Sequence, residues 1–267
     1  MTIPTTVFDL TPVWLLYALT VLMVLAGNEC GFRLGSWRRS RMPEGEKGPA
    51  TAIMGSTLGL LAFMLAFTFG MAGTRFDARK QLVLDEASAI LRAYQRAQFL
   101  PELQREECDR LLKRYLELRL ELVEQTDFTH LPDILKESED TQDALWAQAA
   151  SLADKPSAVL AGFMASIGEL TDLQMKRVRA VVWNRIPPAI LMTLYLVAFL
   201  ALMGMGYGAG LAESRTIIPS VLLALTFSAI IVLIVDLERP RQQLFTVSQD
   251  AMYDVARRIH MTEPGSP

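Results

Sequence analysis

The chain has 267 residues, 51% of them hydrophobic, and a formal net charge of −3. The apolar residues are gathered into blocks and mean hydropathy is positive at +0.26, which excludes an ordinary soluble domain and points to an integral membrane protein. Acids and bases nearly balance and no basic block is present, which excludes a nucleic-acid-binding role. Cys30 and Cys108 lack C-x-x-C spacing, and His130 and His260 stand far apart without neighbouring ligands, so no disulfide, metal site or cofactor is expected.

In chain order, residues 1–11 carry no Lys or Arg and so lack the basic start of a cleaved signal peptide. The first span is expected over 12–27, extendable through Asn28 and Cys30, with Trp14, Tyr17 and Trp37 as interface anchors. Glu29 at its end reads as an interfacial marker rather than a buried acid. A polar, Arg-rich loop over 32–48 follows, with Arg33, Arg38, Arg39, Arg41 and Lys47. The second span, 51–73, lies in an uncharged run of about 24 residues, long enough to cross a hydrocarbon core of about 30 Å. It runs at once into Arg75-Phe76-Asp77-Ala78-Arg79-Lys80, with no proline before Pro101. One helix should therefore start in lipid and end in water.

Residues 74–185 form a soluble helical insert. Leu82, Ala89, Leu91 and Ala93 continue the second helix. Pro101 opens another, on which Leu103, Leu111, Leu112, Tyr115, Leu118 and Leu122 recur at helical steps. A break over 128–138 containing Pro132 is expected, then a short helix over 143–152 around Trp146, then a turn at Lys155-Pro156 with Ser157 as N-cap. Val159, Phe163, Ile167, Leu170 and Leu173 lead toward a third span over 186–211, opened by Pro187-Pro188. There Gly204 and Gly208 offer a small-xxx-small packing face. The fourth span, 216–235, stops at Asp236-Leu237-Glu238-Arg239-Pro240, and an amphipathic helix over 245–259 ends the chain. The domains are thus 1–73, 74–185, 186–236 and 237–267. No stretch alternates with period two, so the fold class is an all-α membrane protein with four transmembrane helices. Arginines and lysines flank both sides of the spans, so charge alone does not orient the protein.

Phe63 and Phe67 stand four residues apart and share one helix face. Copies of them around an axis would make stacked aromatic rings, an apolar constriction able to gate by dewetting. Taken alone, the pair reads first as facing lipid or a neighbouring helix. Arg75 and Arg79 form a like-charge i,i+4 pair that calls for a carboxylate such as Asp77 or Glu86 nearby, and the cluster reads as a brace where the helix leaves the bilayer.

The run Leu58-Gly59-Leu60-Leu61-Ala62-Phe63-Met64-Leu65-Ala66-Phe67, followed by Arg75-Phe76-Asp77-Ala78-Arg79-Lys80, resembles the second transmembrane helix of bacterial bestrophins. There a Leu-Gly apolar run leads into an Arg-Phe-x-Glu-Ala-Arg motif. The end of the fourth span, with Val247-Ser248-Gln249 after it, is similar to the bestrophin-like domain family of bacterial membrane proteins. The resemblance implies four spans with a cytoplasmic helical insert between the second and third. It also implies a homo-pentamer in the bacterial plasma membrane conducting inorganic ions, with the second helices lining a pore. The family's hydrophobic neck falls on Phe67, Phe63 and Gly59. Gly59 departs from the pattern, leaving Ser56 or Leu60 to close the third ring.

Animal bestrophins bind calcium with acids after the fourth span. Here Asp236 and Glu238 are interleaved with Arg239 and Arg241 and fall short of the six to eight oxygens calcium takes. They read as a salt-bridged stop. The competing class is a non-conducting membrane anchor presenting a helical bundle to partners. Enzyme signatures such as G-x-S-x-G, H-E-x-x-H or a P-loop do not occur.

Overall fold

The computed structural model describes residues 11–41, 50–124, 131–154, 157–182, 186–213, 215, 217–239 and 247–261. Among them are eight α-helices and no strand: α1 Val13–Arg39, α2 Ala50–Ala97, α3 Glu102–Glu124, α4 Leu131–Ala150, α5 Ala158–Val182, α6 Pro188–Leu211, α7 Ile217–Glu238 and α8 Asp250–Met261. Four of these, α1, the second helix, α6 and α7, are long and apolar enough to cross a bilayer. The residues fall into two compact units, one within 4–76 and 184–246, the other within 77–183 and 247–267.

In the membrane unit, α1 packs along α6 and α7. Glycine makes the first of these approaches possible. A Cβ on Gly31 or Gly35 would strike the backbone carbonyls of Met203 and Tyr207, and one on Gly206 or Gly210 would strike those of Asn28 and Phe32. Gly27 leaves only 2.9 Å to the Phe199 carbonyl. Lipid tails give helices no hydrophobic reason to associate, so close van der Waals approach of this kind supplies the attraction. The packing face of α6 is therefore Gly206 and Gly210, not the expected Gly204 and Gly208, which are only half-buried. Leu61, Leu65 and Ala72 of α2 join Leu194, Ala198, Leu202, Ile231 and Ile234 in the core of this unit.

The first helix also outruns its expected span. It continues through the stretch anticipated as a loop at 32–48 as far as Arg39. Charge marks where a helix leaves lipid, whereas Arg is a good helix former and lets the helix carry on. The Glu29–Arg33 pair, 2.9 Å apart at i,i+4, supports the continuation.

The second unit is a helical bundle built from α2 beyond Phe76 with α3, α4, α5 and α8. Its core holds Ile90, Ala93, Cys108, Leu112, Tyr115, Leu145, Phe163, Ile167, Met252 and Ile259. Leu103, counted on the apolar face of α3, is instead 75% exposed. Ser157 caps α5, its Oγ accepting from the Leu160 amide at 3.1 Å. Lys155 and Pro156 lie outside the described residues. The break anticipated at 128–138 is helical from Leu131 onward, and one helix reaches Ala150. Pro132 falls in its first turn, where the missing N–H costs nothing. The last helix starts at Asp250 rather than 245, after Ser248 Oγ accepts from the Asp250 amide at 3.1 Å.

Candidate functional site

α2 is a single helix of 48 residues. Over its apolar half the two faces differ. Leu61, Leu65, Thr68 and Ala72, at three- and four-residue steps, are buried. The opposite face carries Phe63 at 68% exposure and Phe67 at 61%. Their rings are stacked, with centroids 6.4 Å apart and planes 14° from parallel. Gly59 continues this face toward the helix start, and a Cβ there would meet nothing within 4 Å. Ser56 and Leu60, the alternatives to Gly59, are exposed too. Beyond Phe67 a shallow groove is lined by Ala66, Phe67, Gly70, Met71, Thr74 and Arg75.

Arg75 reaches a carboxylate beyond Asp77 and Glu86, the partners the sequence suggested. Its Nη1 lies 3.3 Å from Glu238 Oε2, on the last turn of α7. The same oxygen accepts from the Ile186 amide at 2.7 Å, just before α6. Arg239, 2% exposed, donates through Nη2 to the Thr11 carbonyl at 2.8 Å, just before α1. The exit of α2 and the end of α7 thus meet the first residues of α1 and α6 in one charged junction. Asp236 is fully buried beside them, Arg79 is buried and Asp77 is exposed. Pro240 and Arg241 lie outside the described residues. Among those described, Glu238 Oε1 and Arg239 Nε and Nη1 find no hydrogen-bond partner.

Glu29 lies in the second half of α1, held by Arg33 and by Arg215 Nη2 at 3.0 Å, with its side chain 40% exposed. It is a surface ion pair at the end of a span. Cys30 is exposed and Cys108 buried, and both are free. His130 is outside the described residues.

The model of the bestrophin-like domain matches residues 37–252. The chain belongs to the bestrophin-like domain family. Solved structures agree on the fold. Two variants of a bacterial bestrophin homologue from Klebsiella pneumoniae superpose on this bestrophin-like chain with TM-scores of 0.65 and 0.68. Both are 14% identical and cover 94% of this chain, and 100% and 99% of their own. A third variant is 16% identical with a TM-score of 0.64, covering 94% and 98%. No curated protein matches.

The sequence reading missed one constellation in the helical unit of this bestrophin-like protein. Glu86 of α2 is fully buried, and its two oxygens are shared between Arg119 of α3 and Arg177 of α5. Arg119 Nε lies 2.9 Å from Oε1, and Arg177 Nη1 contacts Oε2. The Tyr115 hydroxyl donates to Glu86 Oε1 at 2.6 Å and lies 3.1 Å from Gln174 Oε1. Gln142 of α4 completes the chain, donating to Gln174 Oε1 at 2.6 Å. Burial pushes the Glu86 carboxyl up, but the charges of Arg119 and Arg177 and the bonds from Tyr115 and Arg177 outweigh it and hold its pKa below the ordinary value. Burial, then the Glu86 charge, pushes the Tyr115 hydroxyl far up, so it stays a donor. The available signal was Arg119 itself, a charge on the same helical stripe as Leu112, Tyr115 and Leu116. Its Nη1 is buried without a partner among the described residues.

Proposed function

We propose that this bestrophin-like protein is an oligomeric ion channel whose path is lined by α2, with Phe63 and Phe67 forming a hydrophobic neck. The observation that carries it is the exposed, stacked aromatic pair on the face of α2 that its own chain leaves uncovered. Such rings, repeated around an axis, make a constriction that hydrated ions pass only when it wets. Gly59 leaves the neck wide at one end, so Phe67 is its narrow ring. The Arg75–Glu238 contact serves as a brace that fixes the helix at its exit, and Asp236, Glu238 and Arg239 tie off the fourth span. By resemblance the assembly is a pentamer in the bacterial plasma membrane, with the helical insert in the cytoplasm. Purified protein in liposomes is expected to pass ions down a K⁺ or Cl⁻ gradient, and Phe67→Ala to raise the basal flux several-fold. A monomeric particle silent under both gradients would overturn the reading.

A further inference from the structure

We propose that the end of α1 is a binding surface for the headgroups of anionic phospholipids, read by Arg38 and Arg41 with Trp37. At 1.5 Å per residue, about 30 Å of helix from Val13 brings the chain to the turn of Phe32 and Arg33, the far edge of a hydrocarbon core. The following turns lie at headgroup depth. They carry Arg33, Trp37, Arg38, Arg39 and Arg41, all exposed.

Among the described residues, the nearby acids Glu29 and Glu213 are already taken. Glu29 is held by Arg33 and Arg215, and Glu213 by Arg39 at 2.8 Å. Arg38 and Arg41 face no carboxylate among the described residues. Arg41 instead lays its guanidinium 4.1 Å from the centroid of the Trp37 ring, which is 53% exposed. An indole at the interface beside a stacked guanidinium presents a flat apolar surface to the glycerol region and planar donors to a phosphate. The patch stays positive when Glu44, Glu46 and Lys47 of the following segment are counted in. A merely solvated arginine pair would accept any anion. A pair fixed at headgroup depth on a membrane-spanning helix meets phosphate already concentrated in two dimensions, and that selects lipid over free anion.

The surface does not depend on conduction, so its test uses none. Full-length protein in mixed micelles is given phosphatidylglycerol and phosphatidylcholine in equal amounts, and retained lipid is counted by native mass spectrometry. Phosphatidylglycerol is expected to be retained preferentially. Arg38→Gln with Arg41→Gln is expected to weaken that preference roughly thirty-fold, each single change about five-fold, and Arg105→Gln on the helical bundle not at all. Thermal unfolding of each variant without added lipid establishes that it is folded. Equal retention of both lipids, an unchanged preference in the double variant, or displacement by millimolar inorganic phosphate would each overturn the proposal.

Discussion

At the scale of single residues, Glu86 carries the most consequence in the soluble bundle. Among the described residues, this fully buried carboxylate is sustained by two guanidinium groups and a tyrosine hydroxyl drawn from α3 and α5. Taking it away leaves Arg119 and Arg177 buried against each other, so Glu86→Gln is expected to cost about 3 kcal/mol or more. Thermal unfolding followed by circular dichroism at neutral pH checks this. Because the folded carboxyl lies below its ordinary value of 4.5, its stabilisation is fully present above that pH. It disappears as the pH falls through the folded-state value. The gap between wild type and Glu86→Gln should therefore be constant from pH 8 to 5 and close only in stronger acid. A gap that widened on acidification would contradict the pairing. Cys108 lies nearby in the bundle, its thiol pushed up to about 12 by burial first and Glu107 second. It should stay unmodified by maleimide at pH 7.5 in the folded protein and react once the bundle is denatured.

At the scale of elements, the sequence was most legible where one physical signal dominated. The uncharged run ending at Arg75 announced α2 as one long helix, because neither lipid nor the water-facing half contained a proline to interrupt it. Ser157 announced the start of α5 by its capping chemistry alone. Legibility failed where two signals competed. Pro132 reads as a breaker in the sequence, yet proline is also a favoured first-turn residue, and only the tertiary setting of α4 decides between them. Arg33, Arg38 and Arg39 read as loop because they are charged, although arginine is also a helix former. The packing glycines of α6 were misplaced by two residues, yet Gly27, Gly31 and Gly35 repeat every four along α1 and name their own face. Since a side chain on Gly31 would meet the Met203 backbone, Gly31→Leu is expected to separate α1 from α6. Melting in detergent should fall well below that of Gly70→Leu, where a Cβ meets nothing within 4 Å.

At the scale of the whole molecule, the family and its fold rest on the match over 37–252 and on structures of 14–16% identity. The proposed neck residues, Phe63 and Phe67, are legible in the sequence only as a pair on one face. Which face meets another copy depends on an assembly that one chain does not encode in its own contacts. Cross-linking separates the alternatives. On a Cys30→Ser background, F67C is expected to form disulfide-linked dimers on mild oxidation if α2 helices converge on an axis, whereas Leu22→Cys on α1 forms none. Buried Cys108 stays silent in both. The reverse pattern would move the axis away from α2.

The glycine seam has a consequence for how the protein is made. Its two sides are about 170 residues apart in the chain, so α1 is synthesised on the order of ten seconds or more before α6 exists. During that interval the strip of bare backbone at Gly27 and Gly31 has only acyl chains against it, and the segment must persist in the bilayer on its own leucines and valines. Assembly of the membrane unit is therefore a late event in biosynthesis. A ribosome stalled before α6 would leave an inserted helix still waiting for its mate, a natural substrate for membrane quality control.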